Sequence, residues 1–184
     1  MVLPPFLNWL QQWMRESEDQ IHGMEEVMFA MPGIPSLIKN ILFVGLFTAI
    51  AEELMFRGVI QTILLKWTRN THTAVWITGI LFSAFHMEFF GFLPRLFLGV
   101  IFGYFVVWSG SIWPAVWAHF LNNASAIVVT YLYQHKNISV NPDNEKVFNN
   151  PLYISSIIVV LFLMFLYKYL GPKPLQATDG EQLD

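Results

Sequence analysis

The chain has 184 residues, of which 55% are hydrophobic and only 12% are charged, and its formal net charge is −3. Soluble domains usually carry about 25% charged residues, so the composition argues against a water-soluble globular domain and favours a single-domain integral membrane protein. The few scattered basic residues give no nucleic-acid interface, and the absence of cysteine excludes disulfides, thiolate nucleophiles and cysteine-ligated zinc.

Hydropathy along the chain predicts one interfacial segment followed by membrane spans. Residues 1–33 are amphipathic and net acidic, which predicts an interfacial helix with Phe6, Trp9, Leu10 and Trp13 on its apolar side. A membrane helix needs roughly 20 apolar residues, and five stretches qualify: 36–65, 74–92, 93–108, 112–133 and 152–170. The predicted fold is therefore all-α: a polytopic membrane bundle of about five transmembrane helices in residues 34–170, with a disordered tail over 171–184.

Two details of the spans predict local structure. Gly99 and Gly103 lie four residues apart in the third span, a spacing typical of closely packed membrane helices. Pro114 stands at the start of the fourth span, where proline suits the first helical turn. Glu88 lies near the end of the second span, and we assign it to the rim of the membrane.

Polar side chains at membrane depth are the main functional signal in this sequence. Ionisable residues there are rare and by default indicate function. They occur on the first, second and fourth spans, and pointing them into one bundle interior is the simplest way to keep them from lipid. The set comprises Glu52, Glu53, Arg57, His86 and His119, with Asn122 and Asn123 beside the last.

Helical spacing assigns partners within this set. Glu53 and Arg57 are four residues apart, so they share a helix face and can form a positioning ion pair. Glu52 is rotated by about 100° from Glu53 and is left without that partner. An unpaired carboxylate in an apolar site suits general-base catalysis.

Histidines on two other spans could complete a site for water-mediated hydrolysis. His119 and Asn123 share a helix face and provide two neighbouring donors for an oxyanion, whereas Asn122 is turned away from Asn123 by about 100°. His86 lies on a different span. Either histidine alone would suit a hydrogen-bonded core position better than a catalytic one, but together with Glu52 they could activate a water for peptide-bond hydrolysis.

Three short motifs resemble those of a known family. "EELMFR" (52–57), "FSAFH" (82–86) and "HFLNN" (119–123) are similar, in order, to the EExxxR, FxxxH and HxxxN motifs of the CPBP intramembrane proteases. That family includes type II CAAX prenyl endopeptidases and abortive-infection or bacteriocin-processing proteins. The resemblance covers roughly residues 45–135. Family members often have further membrane helices before the first motif, where this chain has only the amphipathic segment.

The resemblance implies a role for each matching residue. Glu52 and His86 would activate the water, His119 and Asn123 would stabilise the oxyanion, and Glu53 and Arg57 would support the site. The family has been described both as metal-dependent and as using a glutamate without metal. Glu52, His86 and His119 could be three zinc ligands, but the chain has no HExxH, and "HMEFF" lacks the second histidine. The sequence favours a metal-independent glutamate mechanism with no cofactor.

Other functions fit the sequence less well. A serine protease would need a GxSG-like element, and "VWSG" (107–110) has valine in the first position; an aspartyl protease would need membrane-embedded aspartates, and none occurs between Asp19 and Asp143. A proton-coupled carrier usually shows internal repeats, which this chain lacks. A non-catalytic immunity or binding protein of the same fold is the remaining alternative.

The sequence thus predicts an integral membrane endopeptidase, located in an inner or plasma membrane of bacterial type. Its expected partners are membrane lipids and a peptide or lipidated-peptide substrate, with a prenylated CAAX-like peptide as one candidate. Nucleic acid is not an expected partner.

Overall fold

The computed structural model describes residues 5–28, 30–89, 91–136, 165 and 167–169, and every regular element among them is helical. A short 3₁₀ turn, Pro5–Leu7, precedes the first helix. Five helices follow: α1 (Asn8–Met28), α2 (Ile34–Thr68), α3 (Thr71–Phe85), α4 (Phe92–Ser109) and α5 (Trp113–Gln134). The all-α prediction is confirmed for this part of the chain.

The predicted number of membrane spans is confirmed only in part. Within the described ranges, α2 and α4 are long and apolar enough to cross a membrane, as judged by length and composition. Helix α3 is apolar but has 15 residues, and α5 covers the predicted fourth span with proline in its first turn. The fifth predicted span (152–170) and the tail (171–184) lie outside the described residues, except for helical residues 165 and 167–169.

Helix α1 matches the predicted amphipathic segment. Phe6 and Trp9 are largely exposed, at 76% and 69%, and the ring of Trp13 packs against Phe89 with centroids 5.4 Å apart. The helix is therefore observed, while its location at a membrane surface stays a prediction.

Helix α2 carries the charged residues and has an unusual hydrogen-bond pattern. It runs for 35 residues, about 50 Å at the α-helical rise, and two of its segments, Ile41–Phe47 and Leu54–Gln61, form π-helical turns. Each of these wide segments is followed by a threonine: the hydroxyl of Thr48 donates to the carbonyl of Phe43, and that of Thr62 donates to the carbonyl of Arg57. π-helical turns are rare and frequent at functional sites. Here they flank the short α-helical stretch that holds the two glutamates.

Helix α3 ends seven residues before the predicted limit of the second span. The backbone N–H groups of His86 and Met87 bond to the carbonyls of Ser83 and Ala84, which tightens the last turn, and Met87 has a left-handed φ of 56°. The hydroxyl of Ser83 donates to the carbonyl of Phe92 at 2.6 Å, which joins the end of α3 to the start of α4. His86 therefore lies just after the end of α3 and not within a helix, as its predicted place in the second span implied.

Helices α3 and α4 approach each other closely at glycines, as predicted for Gly99. A Cβ on Gly99 would lie 3.1 Å from the Cα of Gly79, and one on Gly79 would lie 2.8 Å from a methyl of Val100. Beside this contact, Val75, Leu96 and Val100 form a buried cluster. Helix α5 packs against both α2 and α4, and the ring of Phe82 near the end of α3 lies 5.6 Å from that of His119 on α5.

Replacing Gly99 by alanine tests this close approach. The added methyl would meet the α3 backbone, and overpacking of this kind costs about 1–3 kcal/mol, so we expect a lower Tm in detergent micelles. Gly58→Ala is the matched control, because its methyl would meet no atom closer than 3.9 Å. An equal loss of Tm in both variants would show that close packing of α3 against α4 does not require glycine at position 99.

Candidate active site

The predicted ion pair between Glu53 and Arg57 is present and fully buried. Arg57 Nη1 donates to Glu53 Oε1 at 2.8 Å, and both side chains have an exposed fraction of 0%. Arg57 Nη2 donates to the carbonyl of Gly99 at 2.7 Å. The pair therefore connects α2 with α4 at the glycine contact, a link that the sequence did not reveal.

Glu53 also contacts the third motif. Its Oε1 atom lies 2.9 Å from Nδ1 of His119, which is buried at 4% exposure. Because Glu53 is paired with Arg57, its carboxylate is an acceptor, and His119 Nδ1 must donate the proton. This hydrogen bond joins α2 to α5. It also orients the imidazole of His119, so that Nε2 points away from Glu53.

Aromatic rings enclose this buried charge. The guanidinium carbon of Arg57 lies 4.7 Å from the ring centroid of Phe82 and 5.5 Å from that of Phe102, and both distances suit cation–π attraction. The ring of His119 stacks on Phe102, with centroids 5.1 Å apart and planes at 21°. The orientation of His119 is thus fixed by one hydrogen bond and one stacking contact.

Glu52 projects away from the ion pair, as its spacing predicts. Its Oε2 atom lies 3.7 Å from Nε2 of His86 and 3.8 Å from Nε2 of His119. That oxygen is buried and has no hydrogen-bond partner among the described residues. Three side chains therefore meet at one point between α2, α5 and the end of α3: Glu52, His86 and His119.

The protonation of His86 follows from its other contact. Its Nδ1 lies 2.8 Å from the carbonyl oxygen of Phe82, and because a carbonyl can only accept, Nδ1 carries the proton. In the neutral ring Nε2 is then an acceptor. Glu52 Oε2, His86 Nε2 and neutral His119 Nε2 are three acceptors facing one another, and such a group needs a donor or a cation between them.

Two species could occupy that position. A water can donate two hydrogen bonds and is held well by two or more polar partners. Carboxylate oxygen and imidazole nitrogen are also zinc donors, so Glu52, His86 and His119 are the residues that would hold a zinc ion. As arranged, no three or more His, Cys, Asp or Glu side chains in the described ranges have the geometry of a metal site.

A cavity of about 260 Å³ opens beside this point. Its wall includes His86 and His119 and also both asparagines of the third motif, Asn122 and Asn123. Asn122, which helical spacing made the weaker candidate, therefore faces the same space as Asn123. The cavity gives a substrate access to the side chains that surround Glu52.

One cavity residue was missed in the sequence. Arg95 lines the cavity and forms an ion pair with Glu88, so Glu88 is not simply a solvated rim residue. The two residues are seven apart and belong to different elements, and no local spacing rule connects them. Only the turn between α3 and α4 brings them together.

Comparison with known proteins agrees with the motif order. A family model described as type II CAAX prenyl endopeptidase Rce1-like matches residues 34–125, half of the chain. The uncharacterized protein YpbD of Bacillus subtilis (strain 168) is 28% identical over 106 residues, which cover 55% of this chain and 49% of that protein. The chain thus spans about half the length of this curated relative. No solved structure matches the chain significantly.

Proposed function

Because the chain belongs to the Rce1-like family of type II CAAX prenyl endopeptidases, we propose that it is an intramembrane endopeptidase in which Glu52 and His86 activate a water. The observation that supports this proposal is the convergence of Glu52 Oε2 with two imidazole nitrogens at 3.7 and 3.8 Å beside a cavity. The substrate would be a membrane-associated peptide, and the family's name suggests a prenylated CAAX-like C-terminus.

Water activation follows from the acceptors at Glu52. A water in this position donates one hydrogen bond to Glu52 and the other to Nε2 of His86, and its lone pairs remain free to attack a peptide carbonyl. Glu52 takes the proton as the tetrahedral intermediate forms and passes it to the leaving amine. No side chain forms an acyl-enzyme in this scheme.

Oxyanion stabilisation would come from α5. The amide of Asn123 is one donor. His119 can be the other only when both ring nitrogens carry protons, because its Nδ1 proton is already directed at Glu53. Glu53, held in place by Arg57, would orient the His119 ring through the Nδ1 hydrogen bond, so that Nε2 lies beside Glu52.

A zinc ion is the alternative activator of the water at the same three side chains. If it binds there, it supplies Lewis-acid activation of the water, and Glu52 then acts as a ligand. We expect the purified protein to hold less than about 0.1 zinc per chain by elemental analysis and to keep its activity after dialysis against a chelator. Stoichiometric zinc, with activity lost on chelation and restored by Zn²⁺, would contradict the glutamate mechanism while leaving the reaction class intact.

Reconstitution of the protein in liposomes tests the proposed function directly. We expect cleavage of a farnesylated CAAX peptide or of a membrane-bound unmodified peptide, with the new ends identified by mass spectrometry. In H₂¹⁸O the new carboxyl group should gain one heavy oxygen, and added hydroxylamine should give no hydroxamate, because no acyl-enzyme forms. Specific binding of these peptides without any cleavage would instead support a non-catalytic binding protein of the same fold.

A further inference from the structure

A positively charged side chain lines the same cavity as the two histidines and has no part in the mechanism above. Arg95 Nη2 donates to Glu88, but Nη1 is buried and has no hydrogen-bond partner among the described residues. A guanidinium has five N–H donors in a planar fork. One terminal nitrogen of that fork is therefore unpaired within the described part of the chain, in a residue that lines the same cavity as His86 and His119.

The position of Arg95 is not explained by the stability of its helix. It lies in the first turn of α4, where the helix dipole disfavours a cation. Glu88, in the preceding turn, compensates for the charge. A purely structural pair at the membrane rim would leave Nη1 free to reach water, whereas here Nη1 is buried against the cavity.

Gly91 gives the guanidinium of Arg95 room to lie close to the backbone of the turn. Gly91 also lines the cavity, and a Cβ at this position would lie 3.3 Å from both Nη1 and Nη2 of Arg95. The same cavity presents the amides of Asn122 and Asn123 as neutral donors and apolar surface from Leu98. These groups together suit a short peptide segment that carries one carboxylate.

We propose that Arg95 determines substrate specificity by binding a carboxylate of the peptide a few residues from the scissile bond. This inference rests on the proposed function of the site. An arginine fork binds a carboxylate through two parallel hydrogen bonds, which would fix the distance between the anchored group and the water at Glu52. The carboxylate could come from the peptide's C-terminus or from an acidic side chain, and both sources present the same chemistry to Arg95.

Matched peptides test whether Arg95 binds a carboxylate of the substrate, which we call the anchor. Fluorescence-quenched apolar peptides are prepared with a free C-terminus, with a C-terminal amide, and as the amide with one glutamate placed at successive positions. We expect wild-type protein to prefer a carboxylate form over the plain amide by about tenfold or more in kcat/KM, mainly through KM. Preference for the free C-terminus or for one glutamate position identifies the source. In Arg95→Gln the preference should fall to about one, while Glu88→Gln should retain it.

Two outcomes separate this inference from the proposed function. Equal cleavage of all three forms by wild-type protein overturns the anchor and leaves the protease intact. Dependence of cleavage on anionic lipid, with no preference among peptides, assigns Arg95 to a lipid phosphate and also overturns it. This readout needs only wild-type protein, so it decides the question even if Arg95→Gln does not fold.

A binding measurement does not depend on turnover. The Glu52→Gln variant is titrated with N-acetyl-Val-Leu-Phe as the free acid and as the amide. We expect the acid to bind about tenfold more tightly, and the difference to disappear when Arg95→Gln is added. Equal affinities for the acid, the amide and an amide that carries one glutamate would show that Arg95 binds no peptide carboxylate, whether or not any peptide is cleaved.

Discussion

Glu52→Gln is expected to lower kcat for peptide hydrolysis by about a thousandfold, within the range typical of a lost general base. Glutamine fills the same space but cannot accept a proton from the water. Because Glu52 Oε2 has no hydrogen-bond partner among the described residues, its replacement breaks no hydrogen bond at that oxygen, and the Tm should change by less than about 2 °C. Initial rates with a reconstituted substrate and thermal unfolding of the same preparation measure both quantities.

His86→Ala is the companion variant and Asn122→Ala the matched control. His86→Ala should show a similar loss of kcat, because Nε2 of His86 is the second acceptor for the water. Asn122 lines the cavity with an exposed side chain and makes no contact with Glu52, so its removal should reduce kcat by less than about tenfold. Full activity of Glu52→Gln on a genuine substrate would exclude Glu52 as the base.

Arg57→Met is expected to give the largest loss of stability. Removing one partner of a buried ion pair costs about 3–5 kcal/mol, since the other charge stays buried without compensation. In this protein Arg57→Met leaves Glu53 with only His119 and also removes the hydrogen bond to Gly99. We expect the Tm to fall by about 10 °C or more, together with the yield of folded protein.

Glu53→Gln and an exposed-charge control refine this result. Glu53→Gln keeps a side chain of the same size but removes the carboxylate that accepts hydrogen bonds from both His119 and Arg57, so it should lower kcat as well as Tm. Lys66→Gln, at the exposed end of α2, should leave both unchanged. If Arg57→Met unfolded at the temperature of the wild type, the ion pair would not be what holds α2 and α4 together.

Local spacing accounted for the part of the site that lies on one helix. The 3.6-residue period placed Glu53 against Arg57 and separated Glu52 from both, and the structure shows this arrangement. The hydrogen bonds from His119 to Glu53 and from Arg57 to Gly99 join residues 66 and 42 positions apart. No periodicity of a single helix contains that information. The order of the three motifs, and the need to keep polar side chains of three spans away from lipid, indicated that these helices meet.

The remaining differences arise where backbone geometry departs from a regular helix. Hydropathy extended the second span to residue 92, because most residues of "MEFFGF" (87–92) are apolar. In the structure, Met87 has a left-handed backbone and α3 ends at Phe85. This turn gives His86 its place beside Glu52 and brings Glu88 to Arg95. The two π-helical segments of α2 were not predicted either, since their residue types are ordinary for a membrane helix apart from Arg57 and Gln61 in the second segment.

The π-helical segments of α2 have a consequence for how this protein can change during evolution. Each wide turn takes up more residues than an α-helical turn, so Ile41–Phe47 could lose one residue, resume regular hydrogen bonding and leave the flanking helix in nearly the same orientation. A deletion between Glu53 and Arg57 is different, because it changes the four-residue spacing of the ion pair and turns one partner away from the other by about 100°. Homologues that retain the site should therefore differ in length within residues 41–47 but keep residues 53–57 at constant length.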